Sequence, residues 1–97
     1  LPVADIAASF QENVSSVLVK KTKNAADNIN AKTIVLAGGV AANSEIRKKV
    51  FALENEGYKI YAPAMKFCTD NAAMIASSAY FLANTVDNLD VEVFSRM

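Results

Sequence analysis

Residues 33–50 read TIVLAGGVAANSEIRKKV, an apolar, β-branched run that breaks at two glycines and resumes with helical spacing. Thr33 to Ala37 predict a buried strand, and Gly38-Gly39 turn it into a tight loop. The following NSEIRKKVFALENEG predicts a helix. Asn43 or Ser44 can cap it, Glu45 suits its positive end, and Gly57 stands where a left-handed terminal residue is wanted. Ile46, Val50 and Leu53 fall on one inward face, and Glu45 with Lys49 is expected as an outward ion pair four residues apart. A second strand follows in YKIYAP, residues 58–63, closed by Pro63. Two strands joined through a helix are expected to run parallel, with a right-handed crossover.

Upstream, Pro2 fits the start of a helix. Val3, Ile6, Ala7, Phe10, Val14, Val17 and Leu18 then draw an apolar stripe over about residues 3–26, which reads as a packing face. Downstream, AMKFCTD reads as a loop, and a third helix is expected from about residue 71 to residue 84. That helix is apolar nearly all round and so needs cover on more than one side. A short strand or edge segment is expected near Val91 to Phe94. The predicted fold class is α/β, with helices flanking a short, mostly parallel sheet. The chain starts at leucine with helical sequence almost at once, which reads as a piece of a longer protein.

Ninety-seven residues, 53% of them hydrophobic, are enough to fold around a modest core. Ten acids balance ten bases, so no global charge draws the chain to nucleic acid or membrane. The group Lys20, Lys21, Lys23 reads first as a solvated helix end and second as an RNA-facing patch. The sole cysteine, Cys68, excludes an internal disulfide and suits a reducing, cytoplasmic setting. No apolar run reaches the ~20 residues that span a bilayer. There is no histidine, so imidazole chemistry cannot be complete within these residues.

Two places could carry chemistry. In AGGVAANSE, residues 37–45, a strand end, two glycines and a helix start come together. Such a loop is either a tight turn capped by Asn43 or a contact for a nucleotide or sugar phosphate. It matches neither the dinucleotide fingerprint nor the phosphate-binding P-loop. In CTDNAAMIA, residues 68–76, Asp70 either caps the third helix or offers one hard oxygen to a metal. No neighbouring acids have ligand spacing. Cys68 has no histidine to activate it and reads as a small buried residue.

ADIAASFQ (4–11), LAGGVAANSEIR (36–47) and CTDNAAMIA (68–76) occur in this order, with LDVEVFSR (89–96) near the end. Together they resemble the C-terminal portion of the TsaD family, closer to its bacterial than its archaeal branch. These are the tRNA threonylcarbamoyladenosine transferases, also known as O-sialoglycoprotein endopeptidases or glycoproteases. The resemblance implies an actin-like, sugar-kinase/Hsp70-type ATPase fold of two lobes, with residues 1–97 as one C-terminal subdomain. It implies transfer of threonylcarbamoyl from its adenylate to the exocyclic nitrogen of an adenosine beside the tRNA anticodon. It further implies one divalent metal, iron with zinc or magnesium as alternatives, held by an H-x-x-x-H pair and the aspartate of C-T-D-N, which falls on Asp70. The asparagine of G-G-V-x-A-N falls on Asn43, and its glycines fall on Gly38 and Gly39. The implied partners are tRNA, a smaller paralogous subunit and an ATPase subunit.

These residues lack the histidine pair, so alone they are expected to be catalytically silent. A different reading is a non-catalytic interaction module whose apolar surface self-associates. A metallo-glycoprotease ranks last, because no nucleophile has an activating base.

Overall fold

The computed structural model describes residues 2–82. The expected strand near residues 91–94 and the last two residues of the third predicted helix lie outside them.

Helix α1 spans Val3–Asn28, two residues longer than the apolar pattern suggests. Asn30 explains the extension. It takes φ 55 and lets the amides of Asn30 and Ala31 return to the carbonyls of Asp27 and Ala26 at 3.1 and 2.8 Å. This left-handed closure satisfies end carbonyls that would otherwise lack donors. Strand β1, Thr33–Val35, follows at once.

Helix α2 spans Ser44–Phe51 and tightens into a 3-10 turn over Ala52–Glu56. Gly57, at φ 95, closes it in the same left-handed way. Strand β2, Lys59–Tyr61, then lies parallel to β1, pairing Thr33 with Lys59, Ile34 with Ile60 and Val35 with Tyr61. A 3-10 turn over Met65–Phe67 leads to helix α3, Ala72–Leu82. The expected order of helix, strand, helix, strand, helix is therefore present, with a two-stranded parallel sheet.

The core comprises Ala26, Ile34, Ile46, Val50, Leu53, Tyr58 and Ile60, with Val19, Ala31, Leu36 and Phe51 packed around it. Ile46, Val50 and Leu53 point inward as their spacing predicts. The Tyr58 hydroxyl donates to the Asp27 carboxylate and so ties β2 to the end of α1. That bond, chiefly, pushes the ionisation of Tyr58 above the ordinary tyrosine range.

Three expectations need correction. The stripe on α1 does not pack within the described residues: Val3, Ile6, Phe10, Val14, Val17 and Leu18 are all exposed. Instead α1 meets α2 through its other side, where Ser15 and Ala26 are buried. Periodicity identifies the apolar side of a helix but not which neighbour covers it.

The second correction concerns Lys49, which turns away from Glu45. Its ammonium donates to Ser15 Oγ at 2.8 Å and Ser16 Oγ at 2.9 Å and pairs with Glu12 at 2.7 Å. Three acceptors on α1 outcompete one carboxylate on its own helix, since a local pair contributes only a few tenths of a kcal/mol. Third, β1 is buried on one face only: Ile34 points inward, while Val35 and its partner Tyr61 are exposed.

Candidate functional site

The first candidate segment begins at Gly38, with φ 91 and ψ 174. This is a region that essentially only glycine occupies. A side chain there would meet nothing within 4 Å, so the backbone angle, not space, requires the glycine. Its carbonyl accepts from the Ala41 amide at 3.1 Å, opening a 3-10 turn over Gly39–Ala42. A Cβ on Gly39 would likewise meet nothing within 4 Å, leaving that face of the backbone open.

Asn43 caps α2, as expected: its side-chain oxygen accepts from the amides of Glu45 and Ile46, both at 3.0 Å. This narrows the anion-binding expectation, because those two helix-start amides are already occupied. Among the donors left to a ligand is the Asn43 side-chain amide, whose two N–H groups have no partner among the described residues.

The second segment holds Asp70, and here the capping expectation is overturned. The cap of α3 is the next residue, Asn71, whose side-chain oxygen accepts from the Met74 amide at 3.0 Å. Its side-chain nitrogen also returns to the Thr69 carbonyl at 3.0 Å. Asp70 is exposed, and its carboxylate makes no hydrogen bond or ion pair among the described residues. Both oxygens are free. No group of three metal-ligating side chains exists among the described residues, so Asp70 fits a metal as one ligand and not as a complete site. Cys68 is 4% exposed, the small buried residue expected.

The two segments meet on Arg47, which the sequence reading passed over. One guanidinium nitrogen donates to the Ala41 carbonyl at 3.1 Å and to Cys68 Sγ at 3.4 Å. The other donates to the Pro63 carbonyl at 2.9 Å. The Phe51 ring lies 6.0 Å from the guanidinium carbon. A signal was present: Arg47 shares the helical side of Asn43, Val50 and Phe51, at spacings of four, three and four, where an unpaired charge would be costly. Among the described residues, surface hollows lie along the α1 stripe from Asp5 to Leu18 and between α1 and α2 beside Lys20, Lys49 and Glu56.

Residues 2–77 match the family described as TsaD: tRNA N6-adenosine threonylcarbamoyltransferase. Among curated relatives carrying that same description, one from Thermosipho africanus is 57% identical over 83 residues, covering 84% of this chain and 25% of the relative. One from Picosynechococcus is 48% identical over all of this chain and 28% of the relative. A third, from Fusobacterium nucleatum, is 52% identical over 87% of this chain and 25% of its own length. The chain thus spans about a quarter of the length of the relatives it matches.

Proposed function

Because the chain belongs to the TsaD family of tRNA N6-adenosine threonylcarbamoyltransferases, we propose that it is the C-terminal subdomain of such a transferase, within an actin-like, two-lobed ATPase fold. In that protein a threonylcarbamoyl group moves from its adenylate to an adenosine next to the tRNA anticodon. The observation that carries the reading is that the family match over residues 2–77 includes both candidate segments, 38–43 and 68–71.

The roles follow from the side chains. The Gly38–Gly39 backbone gives a nucleotide close approach, and the Asn43 amide donates to it while its oxygen holds α2 in place. Asp70 supplies one hard oxygen to a divalent metal, with iron the first choice and zinc or magnesium the alternatives, and a histidine pair elsewhere in the protein completes the set. When bound, such a metal supplies Lewis-acid polarisation of the carbamoyl carbonyl. A site shared between lobes also accounts for the exposure of both Asn43 and Asp70. The reading carries a cytoplasmic setting, tRNA as partner, and a smaller paralogous subunit with an ATPase subunit as co-workers.

The test is Asp70→Ala in the full-length protein. Metal content and transfer activity should fall to background while the melting temperature stays near wild type, since the carboxylate holds nothing in the fold. Retained metal and activity would remove Asp70 from the site.

A second reading, an interaction module, draws on the uncovered stripe of α1. The protease reading gains no support, because the serine hydroxyls that meet a charged group, Ser15 and Ser16, belong to the contact of α1 with Lys49.

A further inference from the structure

We propose that Arg47 is a positioning residue that fixes the spacing between the Gly38–Asn43 turn and the Cys68–Asp70 segment. Its functional consequence rests on the transferase reading above.

The backbone bonds of the two segments are local. Ala41 and Asn43 bond to Gly38 and Val40, and Phe67 and Cys68 bond to Ala64 and Met65. No backbone hydrogen bond joins one segment to the other among the described residues. The polar link is the guanidinium alone. One terminal nitrogen takes the Ala41 carbonyl and the Cys68 sulfur together, and the other takes the Pro63 carbonyl.

Three features make this a spacer and not merely a contact. The guanidinium is planar, so the Ala41 carbonyl and the Cys68 sulfur are held along the two fixed N–H directions of one nitrogen, while the Pro63 carbonyl on the other nitrogen stops the group from turning. It is half-buried against Phe51, which restricts its rotation. And it projects from α2, whose start Asn43 already anchors. Asp70 lies two residues beyond Cys68, and Asn43 two beyond Ala41. A ligand that reaches both the amide and the carboxylate therefore meets them at a separation set through Arg47.

Lysine at this position keeps the charge but presents one ammonium, which cannot hold the same acceptors in line. The test compares wild type with Arg47→Lys in the full-length protein by amide hydrogen exchange and by steady-state transfer kinetics. Exchange should quicken in residues 38–43 and 64–70 together, while the amides of β1 and β2 keep their protection. The kcat for transfer should fall by about tenfold to a hundredfold with the KM for the adenylate changed by less than about threefold, because the parts bind but are misaligned.

Quickened exchange through β1 and β2 would make Arg47 a general structural residue and overturn the proposal. So would a change in one segment only, or a raised KM with kcat intact. The exchange measurement needs no activity. A wild type that transfers nothing therefore counts against the transferase reading, and the spacer stands or falls on exchange.

Discussion

Asn43 caps α2 with one end of its amide and, in the proposed transferase, donates to a nucleotide with the other, and substitution can separate the two. Asn43→Ala loses the cap and should cost about 1 kcal/mol of stability. Asn43→Asp keeps an oxygen for the Glu45 and Ile46 amides and should unfold near the wild-type temperature. Both should weaken nucleotide binding in the full-length protein by roughly 1–3 kcal/mol, since both remove the donors. Calorimetry showing unchanged affinity for Asn43→Asp would exclude the amide as a contact. This cap was legible as Asn43 or Ser44, because Asn-Ser-Glu stands directly before the helical spacing. The cap of α3 was not, because Asp70 and Asn71 are equally competent neighbours, and pattern alone locates a helix end only to a residue or two. The overturned cap leaves the Asp70 carboxylate without a hydrogen bond among the described residues.

Between elements, the junction of α1 with α2 depends on Lys49. Ser15 is buried at 1% exposure and accepts from the Lys49 ammonium, so Lys49→Ala leaves an acceptor without its donor. A loss of about 1–3 kcal/mol is expected in chemical denaturation. Lys49, chiefly through its hydrogen bond, also holds the Glu12 carboxyl below the usual glutamate range. A depressed carboxylate contributes stability that is present above its unfolded value and is lost as pH falls through the folded one. Lys49→Ala should therefore flatten the acid limb of a stability–pH curve, and an unchanged limb would dismiss the pair as a contributor. None of this was readable from spacing within α2, which pointed to Glu45. An inter-helix partner is fixed by how the two helices approach, and that depends on the sheet between Thr33 and Tyr61.

At the scale of the molecule, three surfaces lack cover among the described residues: the α1 stripe, the Val35–Tyr61 face of the sheet, and α3, which has no buried residue. Exposed apolar area on this scale marks an interface or an aggregation risk. The 97-residue chain on its own should self-associate, and Phe10→Ser, at a residue 70% exposed, should shift it toward monomer with its helical circular dichroism intact. A clean monomer in light scattering before substitution would remove the stripe as a contact surface. The strand order was legible from Gly38, Gly57 and Pro63, because breakers and caps act locally. The lack of cover among the described residues was legible in α3, which is apolar nearly all round, but not in α1. An amphipathic pattern is the same whether its partner is near in sequence or far away.

The bond from Tyr58 to Asp27 also gives the molecule an optical gauge. The phenolate absorbs in the ultraviolet where the phenol does not, and Tyr58 gives up its proton only above the ordinary tyrosine range. Its stabilising contribution is accordingly full at neutral pH and fades as alkalinity passes that raised value. A spectrophotometric titration should show a late step assignable by its loss in Tyr58→Phe, and Asp27→Asn should bring that step earlier. The same trace, followed while α1 is perturbed, would report whether the long helix is still seated on the sheet, without any attached dye.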